Sequence, residues 1–588
     1  MSKLSGSTQM AQAPCLQAKL LNSALKVLSA RGRNIRPECG MFGKRWGDAA
    51  RLVRTVRHLR SGQVVNRVTR RLFPPGVVHR PALGLRPQIE TWRNAAGRPA
   101  TMLSPRRFGF LGQAAELLEG AGWNNSAMPK LWLYNLHYFD DLRAEACEGR
   151  ASWHRELIKA WIAENPPGTG NGWEPYPMSL RIVNWIAWAL AGNELDVAAR
   201  DSLALQARTL SRLLEYHLLG NHLLANAKAL VFAGCYFSGR EAEGWLRMGL
   251  DLLEREWREQ VLGDGGHFEL SPMYHAILLE DVLDLVQLAK IYPQALAAES
   301  VGWPELAQRM LTWLNKMSHP DGEIAFFNDA AFGIARTGAQ LAAYARSLNI
   351  PVIADVAVGR VAESGYIRLA SGPWLAIFDA AEVGPSYLPG HAHADTLCLE
   401  VSFAGQRLIV NSGTSTYADG AIRNEERSTA AHATVEVDAE SSSEVWASFR
   451  VGRRAHTFDK SVSACGDKAW ASHDGYRWLP GRPVHRREVA VSTTSLVVRD
   501  DVTGEGSHAV IGRFPLHPSV SRVEPDGQGW RIELPDRPAL RVSMQGAPEC
   551  FVSEGYYSPT FGQRILRPVL AWRYTGRIPM RVETRFEL

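Results

Sequence analysis

The spacing of hydrophobic positions changes once along the chain. From about residue 110 to 345, apolar residues recur every three or four positions, as in SLRIVNWIAWAL at 179–190 and AILLEDVLDLVQLAKIY at 276–292. This period places the apolar side chains on one face of a helix. Short loops that contain Gly, Pro and Asn separate these segments, so the sequence predicts helical hairpins that pack side by side.

Beyond about residue 355 the hydrophobic pattern becomes an alternation. Segments such as LCLEVSF, RLIVN and MRVETRFEL are short and rich in β-branched residues, and turn residues separate them. They predict antiparallel strands as far as the C-terminus. Because the helices precede the strands instead of alternating with them, we expect a helical domain followed by a separate β domain. The predicted divisions are a basic N-terminal extension and linker at 1–105, the helical domain at 106–350 and the β domain at 351–588.

Composition excludes several classes of protein. The 588 residues are 46% hydrophobic and 21% charged, which is typical of globular domains and not of disordered or fibrous chains. No run of about 18 apolar residues is present, so a membrane-spanning helix is not expected. The seven cysteines are scattered without a CxxC pair, which argues against a disulfide framework and a thiolate zinc site.

The net charge of +6 conceals a basic N-terminal region. Residues 1–80 contain 16 Lys and Arg against 2 Asp and Glu, whereas the other 508 residues contain 50 against 58. Within this region, the segment 51–73 mixes Arg with Val and Leu. One interpretation is a basic helix that makes peripheral contact with an anionic membrane. The other, which we favour because the Arg residues hold no single face, is a solvated helix packed on the main body. No nucleic-acid partner is expected, because no reader motif accompanies the charge.

Two polar clusters interrupt the apolar pattern of the helical region. The first, Asn221-His222, opens an apolar helix, and a helix cap is the alternative role for Asn221. The second lies at 264–281, where Ser271-Pro272 predicts the start of a helix. Its polar residues are His267, Glu269, Tyr274 and His275. A satisfied network of buried side chains is the alternative to a functional site there.

A third cluster, at 389–403 in the β region, has the strongest signal. His391, His393 and Asp395 alternate, and on an extended strand their side chains would share one face. This arrangement suits metal ligation or acid–base chemistry, and hydrogen-bonded surface histidines are the alternative. Asn411 and His432 follow as candidate partners, and two or three His with an oxygen ligand would suit zinc.

Together these motifs resemble the heparinase II/III-like polysaccharide lyases. The residues that carry the resemblance are NLHYFDDL, WEPYPMSLRIVNW, GNHLLANAKAL, DGGHFELSPMYH, GHAHADTL, VNSGTSTY and RSTAAHATVEVDAESSSEVWASFR. They occur in order over about residues 130–455. The segment around RSTAAHATVEVD further resembles members associated with bacterial exopolysaccharide and lipopolysaccharide clusters.

The resemblance implies a fold and a reaction. The fold is an incomplete (α/α) toroid followed by an antiparallel β-sandwich, with the site in the cleft between them. The reaction is the β-elimination of an acidic polysaccharide, in which the C5 proton of a 4-O-linked uronide is removed and the C4–O bond breaks. Such an enzyme, a carbon–oxygen lyase, needs a group that neutralises the carboxylate, a base at C5 and an acid at the leaving oxygen.

The resemblance also assigns roles to individual residues. Asn221 would bind the substrate carboxylate, and His222 would help to neutralise it or take the proton. Tyr274 would exchange a proton with the leaving group, and His391 would be the base or its partner. The further expected substrate contacts are Glu269, His275, Arg427, Trp173 and Tyr176.

The resemblance implies a structural zinc ion held by His393, Asn411 and His432. Asn411 stands where the family usually has Asp. Because an amide oxygen is a neutral and weaker ligand than a carboxylate, we expect lower zinc affinity. The open outcomes are that Asn411 still ligates, that Asp395 replaces it, or that the metal is absent.

Two other functions stay open at this stage. A glycoside hydrolase on the same scaffold would need two carboxylates across the cleft, for which Glu174, Asp264, Glu269 and Asp329 are available. A non-catalytic glycan-binding or assembly protein is the second. The resemblance implies the bacterial periplasm, yet no signal peptide is visible, so the cytoplasm stays open. The polymer and the oligomeric state are not determined by the sequence.

Overall fold

The computed structural model describes residues 39–120, 122–353 and 358–588. The chain divides into two compact units, one that ends at Leu59 and one that begins at Arg60. In the first unit, helix α1 spans Cys39–Val56. All the other elements named below belong to the second unit. The part of the predicted extension at 1–38 lies outside the described residues.

The helices of the second unit fall mainly in the region predicted to be helical. In chain order they are α2 (Ser61–Leu72), α3 (Lys130–Tyr138), α4 (Ala151–Glu164), α5 (Pro175–Leu190), α6 (Val197–Leu210), α7 (Gly220–Tyr236), α8 (Arg240–Gln260), α9 (Pro272–Ile291), α10 (Pro293–Leu296), α11 (Trp303–Lys316), α12 (Gly338–Ser347) and α13 (Ala421–Arg427). No helix among the described residues has the length and apolar composition needed to cross a membrane.

The helices from α3 to α12 form the incomplete (α/α) toroid. α7 packs against α5 and α8, and α9 packs against α11. α7 and α9 are buried on almost every side, whereas α8 exposes many charged residues. A helix that is apolar all round belongs to an inner layer, and an amphipathic helix covers it from outside. The predicted toroid of helices is confirmed.

The C-terminal region is antiparallel throughout its named sheets, as predicted. After a small N-terminal sheet of β1 (Met102–Ser104), β2 (Arg107–Phe110) and β3 (Gln113–Glu116), the strands are β4 (Tyr366–Ser371), β5 (Trp374–Asp379), β6 (Leu399–Phe403), β7 (Gln406–Ile409), β8 (Val435–Val437), β9 (Val445–Trp446), β10 (Arg450–Val451), β11 (Thr457–Val462), β12 (Lys468–His473), β13 (Val484–Val491), β14 (Ser495–Thr503), β15 (Ser507–Pro515), β16 (Arg522–Asp526), β17 (Gly529–Glu533), β18 (Leu540–Gln545), β19 (Glu549–Tyr557), β20 (Ile565–Arg577) and β21 (Met580–Glu587).

Three sheets build the β-sandwich around one core. Their strand orders are β11-β12-β13-β14-β21-β18-β17-β16, β19-β20-β15-β8 and β4-β5-β6-β7. Val401, Val498 and Trp572 come one from each sheet and belong to the same buried cluster. Along β13, buried and half-buried residues alternate at all eight positions, as the period-two pattern of the sequence predicts.

The proline-containing segment before the toroid packs on the helices. The backbone N–H of Trp92 donates to the carbonyl of Leu190 at 3.0 Å, and that of Arg86 donates to the carbonyl of Tyr236 at 2.9 Å. The Trp92 side chain is buried in the helical core. Most of the predicted linker is therefore integrated into the helical body, because its backbone groups and its tryptophan find partners there.

Candidate functional site

The N-terminus of α7 lies between the start of α5 and the loop before α9, where the cleft between toroid and sandwich is expected. The ring of Tyr176, near the start of α5, lies 4.4 Å from the ring of His222, near the start of α7. A Cβ atom added to Gly220, the first residue of α7, would lie 2.8 Å from Oε1 of Glu269. Because the first N–H groups of a helix lack partners and carry partial positive charge, this corner favours a carboxylate.

Asn221 is the second residue of α7 and not its cap. The cap position is Leu219, whose backbone has φ +65° and ψ −155°. The alternative role of Asn221 as a helix cap is therefore wrong. Asn221 and His222 are both half-buried at the cleft end of an otherwise buried helix, so they are open to a bound molecule.

Ser271 begins α9 as predicted and links it to the loop before α12. Its Oγ accepts a hydrogen bond from the backbone N–H of Tyr274 at 3.2 Å and donates to the carbonyl oxygen of Asp329 at 2.5 Å. A serine at this position with proline next in the chain is a strong helix start. The cap fixes Tyr274 in the first turn of α9, where its side chain meets the β-sandwich.

Tyr274 stacks on His391, although the two come from different domains. Their ring centroids are 3.8 Å apart with 28° between the planes. The Tyr274 hydroxyl lies 3.0 Å from the hydroxyl of Tyr417. Burial raises the pKa of Tyr274 well above its ordinary value, and Tyr417 and Asp329 add to the shift. Tyr274 is therefore a neutral phenol that can donate a proton.

Asp329 is the carboxylate that organises this cluster. It is fully buried and accepts hydrogen bonds at 2.9 Å from Nδ1 of His391 and at 2.9 Å from Nε2 of His393. Both terminal nitrogens of Arg423 also donate to it, one of them at 2.7 Å. Burial alone would raise the pKa of Asp329, but Arg423 and the two imidazoles hold it well below the usual range.

The contact with Asp329 fixes the tautomer of His391. Because Asp329 is a carboxylate, Nδ1 of His391 carries a proton, so in the neutral imidazole the lone pair is on Nε2. Nε2 faces Glu269, whose Oε2 lies 3.6 Å away. An imidazole held by a buried carboxylate with its other nitrogen in a cleft has the geometry of a general base.

The cluster His391, His393 and Asp395 lies in a loop and not on the predicted strand. β6 begins only at Leu399, after a left-handed turn at Leu397. The alternation of side chains along a strand therefore does not apply to these residues. The loop nevertheless brings both histidines to one carboxylate, while Oδ2 of Asp395 accepts a hydrogen bond from a backbone N–H at 3.2 Å.

Glu269 is a buried acid that faces the backbone N–H of Asn221 and has no side-chain hydrogen-bond partner among the described residues. Burial raises its pKa, and His391, the backbone N–H of Asn221 and His222 oppose the shift only in part. A carboxyl group in this setting retains its proton more readily than an exposed one. Glu269 can therefore donate a hydrogen bond to an anionic ligand in the cleft.

His222 is held by a second acid. Nδ1 of His222 lies 3.2 Å from Oε1 of Glu215, and Asn226 donates to the other oxygen of Glu215 at 3.1 Å. Burial lowers the pKa of His222, but the Glu215 carboxylate outweighs it, so the net pKa is raised. The cleft therefore carries an imidazole that is more easily charged than a free histidine.

Backbone strain marks the segments that carry these groups. Leu219, Leu270 and Asn328 have φ of +65°, +59° and +57°, and each is next to a residue of the cluster or of the helix start. Non-glycine residues in such conformations cost about 1–3 kcal/mol each and persist where the surroundings enforce them, often at functional sites. This strain is invisible in the sequence.

Three of the predicted substrate contacts are placed in the protein interior. His275 is fully buried, its Nε2 bonds to the carbonyl of Met310 at 2.9 Å, and burial lowers its pKa to about 4. Trp173 donates to the carbonyl of Asn165 at 3.2 Å within the helical core. Arg427 is fully buried and donates to backbone carbonyls, among them that of Ala392 at 2.9 Å. The roles of His275, Trp173 and Arg427 as substrate contacts stay predictions, and in this structure their polar atoms already have partners away from solvent.

The three predicted zinc ligands form a row instead of surrounding one point. Nδ1 of His393 lies 3.3 Å from Nε2 of His432, while Nδ1 of His432 lies 3.1 Å from Oδ1 of Asn411, on the other side of that ring. Two nitrogens about 3.3 Å apart suit two ligands of a tetrahedral zinc with bonds of about 2.0 Å. Asn411 instead contacts Nδ1 of His432, the nitrogen that points away from His393, and so orients the ring. The set of three ligands does not fit, so no step below is routed through a metal.

The residues that sequence reasoning missed are Asp329 as the organising acid, Arg423 and Tyr417. Arg423, on α13, also lies 5.0 Å from the ring centroid of Tyr417. Tyr417 is the last residue of the VNSGTSTY motif, which was the one signal available for it. Asp329 and Arg423 lie in segments without a chemical motif, and only the fold makes them a buried pair.

Comparison with known protein families covers both domains. The model of the heparinase II/III N-terminus matches residues 152–347, and the model of the heparinase II/III-like C-terminal region matches residues 356–577. A crystal structure of heparinase III has a TM-score of 0.65 at 18% identity, over 80% of each chain. At that identity the likeness concerns the fold, a toroid followed by a sandwich.

Two curated relatives differ in how much they share with this chain. A heparin-sulfate lyase of Bacteroides stercoris is 32% identical over 122 residues, which is 20% of this chain and only 17% of that protein. FtsZ-localized protein C of Caulobacter vibrioides is 28% identical over 461 residues, which is 71% of this chain and 75% of that protein. The chain therefore spans about a sixth of the lyase's length and three quarters of the other relative.

Proposed function

Because the chain belongs to the heparinase II/III-like family, we propose that it is a polysaccharide lyase, which cleaves a uronic-acid-containing polymer by β-elimination. The observation that carries this proposal is the stacked pair of Tyr274 and His391, a phenol and an oriented imidazole in one cleft. Elimination needs a base that removes the proton from C5 and an acid that protonates the oxygen leaving C4. These are neighbouring carbons of one sugar, and this pair supplies both groups.

The uronate carboxylate binds at the N-terminus of α7. The amide of Asn221 donates to it, and the raised pKa of His222 favours the charged imidazole that balances it. Glu269, whose pKa is raised by burial, donates a further hydrogen bond when it is protonated. These donors stabilise the negative charge that moves onto the carboxylate when C5 loses its proton, and they do so in a partly water-excluded cleft.

The proton transfers follow from the protonation states at rest. Nε2 of His391 takes the C5 proton, because Asp329 holds the ring with that lone pair free. The C5–H electrons form the C4–C5 double bond as the C4–O bond breaks. The phenol of Tyr274 gives its proton to the leaving oxygen, and the proton on His391 then restores the phenol. No water is consumed.

The finer parts of the proposal concern substrate and location. We propose an acidic polysaccharide or oligosaccharide as substrate, in bacterial exopolysaccharide or lipopolysaccharide metabolism, and the periplasm as the compartment. The support is the family, in which a relative carries the name heparin-sulfate lyase. Tyr176, in ring contact with His222, is the remaining aromatic candidate for contact with a sugar ring.

The proposal is tested with a panel of uronic-acid polymers and the ultraviolet absorbance of the unsaturated product. We expect absorbance to rise with at least one polymer, and Tyr274→Phe to lower kcat by about 10²–10⁴-fold. Full activity of Tyr274→Phe would contradict the assignment of the proton donor. An increase in reducing sugar without absorbance would indicate hydrolysis. Asp329 is unsuited to serve as a hydrolytic carboxylate, because both of its oxygens already accept hydrogen bonds from Arg423 and two imidazoles.

A second candidate is a non-catalytic assembly protein on the same fold. The observation that favours it is the long match to FtsZ-localized protein C, a protein named for its localisation. Under this alternative, the purified protein would bind an acidic glycan without any turnover, and Tyr274→Phe would bind it equally well. Turnover that depends on Tyr274 would exclude this alternative.

A further inference from the structure

Helix α2 packs on the body through its polar face. Gln63 is 3% exposed. Nη1 of Arg70 donates to Nδ1 of His217 at 2.9 Å. Arg60, directly before the helix, lies 3.6 Å from the ring centroid of Tyr387 and forms an ion pair with Glu259. Gln63 and Arg70 are seven residues apart and thus share one side of the helix.

The opposite side of α2 exposes hydrophobic residues to solvent. The exposed fractions are 60% for Val65, 37% for Val68 and 64% for Leu72, and Phe73 just beyond the helix is 76% exposed. Positions 65, 68 and 72 follow the i, i+3, i+7 spacing of one helical face. We call Val65, Val68, Leu72 and Phe73 the apolar stripe.

This orientation is the reverse of an ordinary surface helix. A helix on a globular protein turns its apolar face to the core and its polar face to water. Here burial of the polar face leaves the apolar stripe as an exposed patch. Exposed apolar patches lower solubility and commonly mark interaction surfaces. The segment 60–73 is itself basic, because it contains four Arg and no Asp or Glu.

We propose that the apolar stripe of α2 inserts into the surface of an anionic lipid bilayer. Apolar side chains enter the headgroup boundary, and the surrounding Arg-rich segment supplies the attraction to acidic lipids. A second copy of the chain is a poorer occupant, because two identical stripes would bring two basic segments together. The negative surface of a bilayer complements the same segment.

The position of α2 connects this contact to the cleft. Tyr387, which stacks with Arg60, lies four residues before His391. His217, which bonds to Arg70, lies four residues before Asn221. Helix α2 and the residue before it therefore contact both segments that lead into the cluster. The inference does not depend on the proposed lyase activity.

Co-sedimentation of the full chain with vesicles tests the proposal. We expect binding to mixed phosphatidylethanolamine and phosphatidylglycerol vesicles, and binding at least about tenfold weaker to phosphatidylcholine vesicles or at high salt. The variant Val65→Glu/Val68→Glu/Leu72→Glu should weaken binding to the anionic vesicles at least about tenfold. Because these side chains are exposed, the melting temperature should stay close to that of the wild type.

The matched control is Leu118→Glu/Val197→Glu/Val301→Glu. It introduces the same three charges at apolar residues that are 62%, 65% and 74% exposed elsewhere on the surface, and it should bind vesicles like the wild type. The proposal is overturned if the wild type does not bind anionic vesicles or if both triple variants bind equally. Concentration-dependent dimers that only the α2 variant abolishes, without vesicle binding, would also overturn it and identify a second copy as the occupant.

Discussion

The phenol ring of Tyr274 and the imidazole of His391 stack with their centroids 3.8 Å apart. Tyr274 belongs to the first turn of α9 in the toroid, and His391 belongs to a loop of the sandwich. The pair therefore exists only when the two domains are assembled, and the residues that hold each partner in place should matter nearly as much as the pair itself.

Asp329→Asn should lower both activity and stability. The change leaves the guanidinium of Arg423 buried without its carboxylate, and the loss of a partner from a buried ion pair costs about 3–5 kcal/mol. It also removes the charge that orients His391, so we expect kcat to fall at least about 100-fold at temperatures where the variant is folded. Thermal unfolding and initial rates measure the two effects.

The control for this variant is Asp321→Asn. Asp321 also bonds to an arginine, Arg407, at 2.6 Å, but its side chain is 39% exposed. Its loss should cost less than that of Asp329, because Arg407 keeps two backbone carbonyls and Glu400 as partners, and it should leave kcat unchanged. Equal losses of stability and activity in the two variants would contradict the role of Asp329.

The pH dependence of kcat/KM should report His222. Glu215 raises the pKa of His222, so the charged imidazole persists to higher pH than in a free histidine. If that charge binds the uronate carboxylate, kcat/KM falls as the pH rises through this raised pKa. Glu215→Gln removes the cause of the shift, so the fall should occur at lower pH. An unchanged midpoint in this variant would show that another group controls the profile.

Gly220→Ala should impair the site more than a comparable glycine change elsewhere. Gly220 has φ +57°, and an added Cβ would lie 2.4 Å from Leu388 and 2.8 Å from Glu269. We expect a destabilisation of about 1–3 kcal/mol and a loss of activity. Gly192→Ala, at φ +99° with no atom within 4 Å of its added Cβ, should cost stability through its backbone alone. Activity below the melting temperature separates the two variants.

Asn411→Asp should strengthen zinc binding. The new carboxylate would face Nδ1 of His432 and make its Nε2 a better ligand towards His393. Such indirect partners typically change metal affinity by about 10–100-fold. Elemental analysis after dialysis against a chelator should find more zinc in this variant than in the wild type. Equal zinc contents would show that the two imidazoles do not form the core of a metal site.

The order of the domains could be predicted because it depends on local patterns. The three- and four-residue period of 276–292 gives α9, and the alternation of 484–491 gives β13. The start of α9 at Ser271-Pro272 could be predicted as well, because capping is a local interaction. The motifs also indicated Asn221, Tyr274 and His391, whose surroundings the structure brings into one cleft.

The partners of those residues could not be predicted. Asp329 stands 62 positions from His391 and 94 from Arg423 along the chain, and nothing in its neighbourhood indicates a buried acid. The loop that replaces the predicted strand at His391 depends on a left-handed turn that has no local signature. Arg427 and Trp173 had the right chemistry for substrate contact, yet packing placed their polar atoms in the interior.

The sequence by itself determined the helical and β halves, their order and most of the groups with reactive chemistry, because hydrophobic period and capping act over a few residues. Only the tertiary structure decided which groups meet, which protonation states they hold and which face of α2 remains exposed. Those properties depend on burial and on charges that lie far away in the chain, and burial is a property of the whole fold.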